Sequence, residues 1–128
     1  MIADTSFVLA LLAPGDPHHE TARTRFQAQP NLALQQSVLV ETLQVVHYHA
    51  RKHHGAKAAA DAQRTALRLL LDDFRFHIVP VQDLGLARRI HAEHRDLTFV
   101  DACGVADARG AGGLLTFDEA QDRLARAL

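Results

Sequence analysis

The chain has 128 residues, 48% of them hydrophobic and 23% charged, which is room for one domain (1–128) with a real core and not for two ordinary ones. Seven glycines and four prolines exclude a low-complexity or disordered chain, and a net charge of -1 excludes nucleic-acid binding by bulk field alone. A single cysteine, Cys103, excludes an internal disulfide and favours a reducing, cytoplasmic setting, and the longest apolar run, Phe7–Ala13, is too short to span a membrane.

Met1–Ala3 reads as a first strand, and the apolar run behind it ends at the turn Pro14-Gly15-Asp16-Pro17. His18–Ala28 carries Ala22 and Phe26 one turn apart and reads as a helix, broken by Pro30-Asn31. Leu32–Leu34 is the second strand. Ser37 is the expected N-cap of a helix to about His54, with Leu39, Leu43, Val46 and Ala50 as its inward stripe and Gly55 closing it. Ala56–Phe74 is an alanine-rich helix with Ala59, Ala62, Ala66, Leu69 and Leu70 inward. Phe76–Val81 is the third strand. Asp83 caps a helix to about His94 with Leu84, Ala87, Ile90 and His91 inward, and Thr98 caps another to Arg109. Leu114–Phe117 is the fourth strand, and Asp118 caps the last helix, Glu119–Leu128. Strands alternating with helices of ten or more residues predict an α/β fold with a mainly parallel central sheet flanked by helices. In such sheets function gathers at the carboxyl ends of the strands.

Four carboxylates stand out: Asp4, Glu41, Asp101 and Asp118. Singly, each has a local explanation. Asp4 and Asp118 fit helix N-caps, Thr98-x-x-Asp101 fits a capping box, and Glu41 complements a helix dipole in an early turn. Together they follow or open strongly apolar segments that can share one sheet edge. Carboxylates gathered there repel by about 1 to 4 kcal/mol per close pair. A cation relieves that repulsion, and oxygen ligands without Cys or His select a hard one, Mg²⁺ or Mn²⁺.

These segments resemble the PIN-domain ribonucleases, in particular the toxin-type, VapC-like members of toxin–antitoxin pairs. Ile2-Ala3-Asp4-Thr5-Ser6 is similar to that family's opening block, and Ser37-Val38-Leu39-Val40-Glu41 to its helix-borne glutamate. Leu97-Thr98-Phe99-Val100-Asp101-Ala102 resembles its third acidic block, and Leu114-Leu115-Thr116-Phe117-Asp118 its closing strand and aspartate. The blocks occur in the family's order over the whole chain. The resemblance implies a three-layer α/β/α sandwich and a Mg²⁺-dependent endoribonuclease, with Mn²⁺ able to substitute. Asp4, Glu41, Asp101 and Asp118 would be the catalytic and metal-holding residues, directly or through water. Thr5, Ser6 and Thr116 would orient the water around the cation. It also implies an RNA substrate, a protein antitoxin and a homodimer.

Alternatives of the same fold are an RNA-processing nuclease and a non-catalytic module whose acidic pocket docks an arginine. His49 and His53 share a helix face, but no third zinc ligand is placed by the pattern. Asp107 and Asp122 read as solvated helix positions, and Cys103 as a small buried group. Arg23, Arg25, Arg51, Lys52, Arg88, Arg89 and Arg95 are candidate phosphate contacts.

Overall fold

The computed structural model describes residues 1–29 and 31–128; Pro30, the expected helix breaker, lies outside them. Four short strands, β1 (Ile2–Ala3), β2 (Ala33–Gln35), β3 (His77–Val79) and β4 (Leu114–Leu115), form a parallel sheet in the order β3-β2-β1-β4. Parallel neighbours need crossovers, and helices supply them. α1 (Thr5–Leu12) and α2 (His19–Ala28) join β1 to β2, and α3 (Gln36–His54) and α4 (Ala56–Arg68) join β2 to β3. α5 (Leu84–Glu93) and α6 (Phe99–Ala108) join β3 to β4, and α7 (Glu119–Ala127) follows β4.

Side-chain alternation along the strands decides the two faces. Ala3 is in register with Leu34 and Leu115, and the three join one core with Phe7, Val8 and Leu11 of α1, Ala22 of α2 and Val38 of α3. Ile2, in register with Leu114, belongs to the opposite core, with Ala87 and Ile90 of α5 and Ala102, Cys103 and Val105 of α6. The result is a three-layer α/β/α sandwich. Each buried Leu, Ile, Val or Phe contributes about 1.5–3 kcal/mol. The first two crossovers step outward from β1 to β2 to β3, and the third returns to the other side of β1. The carboxyl ends of β1 and β4 therefore flank the point where the winding reverses, where such sheets open a crevice.

Several local expectations are corrected. The N-cap of α3 is Gln35, not Ser37, because β2 runs straight into the helix; Ser37 lies in the first turn with a buried, unpartnered hydroxyl. The fully buried residues of α3 are Val38 and Thr42, while Leu39, Leu43, Val46 and Ala50 are only partly covered. The helix expected over Ala56–Phe74 changes at Leu69–Asp73 to a π-helical turn, closed by Phe74 N–H donating to Leu69 O at 2.8 Å. On α5, Ala87 and Ile90 face inward but Leu84 and His91 are exposed. Gly55, at φ +90°, makes the corner between α3 and α4 that a side chain would strain. Among the described residues no helix is long and apolar enough to cross a membrane.

Candidate functional site

Asp4 follows β1 directly and is 4% exposed. Its carboxylate caps α1: Oδ1 accepts from Phe7 N–H at 2.9 Å and from the Ser6 hydroxyl at 2.8 Å. Oδ2 accepts from the hydroxyl of Thr116, the residue after β4. Thr116 Oγ1 in turn accepts from Asp118 N–H at 2.9 Å, and Ser6 Oγ accepts from Phe117 N–H at 3.0 Å. The two hydroxyl oxygens lie 3.3 Å apart. One network thus bridges the ends of β1 and β4 and fixes the Asp4 carboxylate in a single orientation.

The electrostatics of Asp4 follow from this setting. Burial pushes its carboxyl above the ordinary carboxylate range, the bonds from Thr116, Phe7 and Ser6 pull it back, and the charge of Asp101 pushes it up again. Asp101 sits in the first turn of α6 in a complete capping box, its Oδ2 accepting from Thr98 N–H at 2.9 Å while its own N–H donates to Thr98 Oγ1 at 3.1 Å. Glu41, half-buried on α3, accepts at Oε1 from Thr5 Oγ1 at 2.6 Å, so the residue after Asp4 holds it. Asp118 is exposed and caps α7 through Gln121 N–H at 2.9 Å.

Hydrogen bonds thus tie Glu41 to the residue after Asp4 and Asp118 to the Thr116 that holds Asp4, while Asp101 is bonded only within its own capping box and acts on Asp4 through its charge. These bonds do not close the four into a ready chelate. Among the described residues no three His, Cys, Asp or Glu side chains form a group able to hold a metal ion by themselves. The donor chemistry still fits a hard divalent cation. Asp4 Oδ2 keeps one lone pair, and Asp101 Oδ1, Glu41 Oε2 and Asp118 Oδ2 have no protein partner among the described residues. Mg²⁺ typically keeps several waters and takes one or two carboxylates, so the free lone pair of Asp4 Oδ2 with one further carboxylate oxygen is enough in kind.

The remaining candidates separate. Asp107 is not a solvated position: it is 9% exposed and accepts three hydrogen bonds. Gln35 Nε2 and Gln82 N–H donate to its Oδ2, both at 2.7 Å, and Asp83 N–H donates to Oδ1 at 2.9 Å. It fastens the start of α5 to α6. The signal in the sequence was its place in the apolar run Val105-Ala106-Asp107-Ala108, where a solvated residue has no reason to be. Asp122 is on the surface of α7, paired with Arg126 at 3.0 Å. His49 and His53 line a groove with His54, Leu9, Val46 and Asp16, and none of Asp4, Glu41, Asp101 or Asp118 lines it. Cys103 is buried, and burial, helped by Asp107, pushes its thiol up and away from thiolate chemistry. The candidate basic residues are exposed. Arg23 pairs with Glu20, and the Arg25 guanidinium lies 5.7 Å from the Phe117 ring centre, beside the site.

Comparison with known proteins adds three findings. The PIN domain family model matches residues 1–127. The chain resembles VapC20 of Mycobacterium tuberculosis, a toxin that cleaves the sarcin–ricin loop, with TM-score 0.71, 26% identity and coverage of 95% of this chain and 92% of that one. It shares its fold with PAE2754 from Pyrobaculum aerophilum, with TM-score 0.66, 22% identity and coverage of 96% and 84%. No curated protein sequence matches it.

Proposed function

The chain belongs to the PIN domain family of nucleases, and on that premise we propose that it is a Mg²⁺-dependent endoribonuclease, the toxin of a toxin–antitoxin pair. The observation that carries this reading is the buried Asp4 carboxylate, held by Phe7, Ser6 and Thr116 at the point where the sheet reverses. Its Oδ2 keeps one lone pair free, and the charge of Asp101 raises its proton affinity. A fold that builds such repulsion into a fixed network gains most when a cation is present. Asp4 and Asp101 would hold the cation, with Glu41 and Asp118 reaching it directly or through water. The cation, when bound, supplies positive charge opposite the phosphate and acidifies water.

The protein's own groups do the rest. Ser6 and Thr116 keep the Asp4 carboxylate from turning, and Thr5 does the same for Glu41, leaving Oε2 to orient water or take a proton. The similarity to VapC20, named as an RNA-loop-cleaving toxin, supports an RNA substrate and a protein antitoxin. A homodimer belongs to the same proposal.

The test incubates purified protein with tRNA and rRNA, with and without EDTA, against Asp4→Asn. Cleavage should need the divalent cation and vanish in the variant. The variant should still fold, because Asn Oδ1 keeps the Phe7 and Ser6 bonds while the Thr116 hydroxyl turns toward Ser6. Millimolar Mg²⁺ should raise the melting temperature of the parent protein more than that of the variant. Cleavage that survives EDTA, or an Asp4→Asn protein that cuts as well as its parent, overturns the proposal.

A further inference from the structure

Phe117 stands between Thr116 and Asp118 in the chain, its N–H donates to Ser6, and its half-buried ring packs against the core. It is the middle of a stack of three. Phe7, from the core, lies 5.8 Å away at an interplanar angle of 16°, and His18 lies 4.4 Å away at 9°. His18 is exposed, precedes α2 and caps it with no side-chain bond. Its backbone is fixed by the Asp16 carboxylate at 2.8 Å, while its ring has no hydrogen-bond partner among the described residues. The next residue, His19, shows the contrast, since its Nδ1 is bound to Ala10 O at 2.8 Å. One histidine is spent on the fold; the other presents a flat aromatic surface backed by two phenyl rings.

Resting on the nuclease reading above, we propose that His18 is a base-stacking platform for the RNA substrate, with Arg25 meeting the phosphate next to the stacked base. Unpaired bases stack on aromatic and histidine rings whatever their identity, and single-stranded or looped RNA offers them. The ring is rigid because Phe117 and Phe7 support it, so little freedom is lost when a base lands. The Arg25 guanidinium, 5.7 Å from the Phe117 ring centre, adds positive charge at the same edge. That charge disfavours the other planar group able to stack here, an arginine from a protein partner. A base on His18 would lie one ring away from Phe117, the chain neighbour of Asp118, which directs the sugar–phosphate chain toward the side where cleavage is proposed.

The experiment measures kcat and KM on a fluorescent single-stranded RNA for the parent protein, His18→Ala, His18→Phe and Arg25→Gln. A second arm measures binding of the same RNA in EDTA. His18→Ala should raise KM by about 5- to 100-fold with kcat within about threefold, and weaken binding in EDTA to match. His18→Phe, which keeps the flat surface, should return KM to within about threefold. Arg25→Gln should flatten the dependence of log KM on log salt by about 0.7. His18 is exposed, so its variants should melt within a few degrees of the parent. If the parent cuts RNA and His18→Ala leaves KM and binding unchanged, the platform is wrong and the nuclease reading stands. If the parent cuts no RNA, the nuclease reading falls, and binding in EDTA decides the platform: equal affinity of parent and His18→Ala overturns it, and weaker binding by His18→Ala supports it.

Discussion

Asp107→Asn is expected to cost about 2–4 kcal/mol of stability and to leave the Asp4 network untouched. The carboxylate accepts three bonds, two at Oδ2 and one at Oδ1, and at 9% exposure water replaces them poorly. Asparagine has one acceptor oxygen. With that oxygen toward Gln35 and Gln82, the amide nitrogen faces Asp83 N–H, donor against donor. One bond to a charged acceptor is lost, about 1.5–3 kcal/mol, and the two survivors become neutral bonds worth roughly half as much. Gln35 keeps its bond to Cys103 O at 3.1 Å, and Gln82 and Asp83 are themselves exposed, which limits the loss. For a chain of this size the change lowers the melting temperature by on the order of 10 °C. Urea unfolding is the direct assay: the midpoint should fall with an unchanged slope. A loss below about 1 kcal/mol would falsify the claim that this carboxylate fastens α5 to α6. A loss of RNA cleavage at full stability would place Asp107 in the chemistry instead.

Two further substitutions separate local from tertiary explanations. Thr116→Val removes a bond that favours ionised Asp4, so the Asp4 carboxyl should rise further and the acidic limb of the pH–rate profile should move to higher pH. A carboxyl raised on folding makes the native state hold more protons than the unfolded one. Stability is then gained as pH falls toward the ordinary carboxylate range and lost as pH rises through the raised value, so the Thr116→Val deficit should be smaller at pH 5 than at pH 8 in denaturant titrations. Ser37→Ala should stabilise by about 0.5–1 kcal/mol, since it removes a buried hydroxyl without a partner and improves helix propensity. An N-capping serine would show the opposite, a loss of about 1 kcal/mol, and thermal melts read the sign directly.

What the chain shows of itself as a string of residues is whatever closes over a few positions. Asp83, Thr98 and Asp118 are legible as caps because each carboxylate or hydroxyl meets an N–H three residues on, and the structure has all three bonds. The α/β alternation and the apolar faces are legible because helix and strand periods are local. The four acidic segments stand out by their resemblance to the family's blocks, which does not tell how each oxygen is shared. Ser37 does not cap α3, because the cap position depends on where β2 stops. The anchoring role of Asp107 is not local, because its donors come from Gln35, 72 residues away, and from Gln82 and Asp83. Only the tertiary structure decided that Asp4 is gripped by Thr116, 112 residues distant, and that His18 lies on Phe117. Those contacts cost chain entropy before they return any energy, so only the folded topology brings them about.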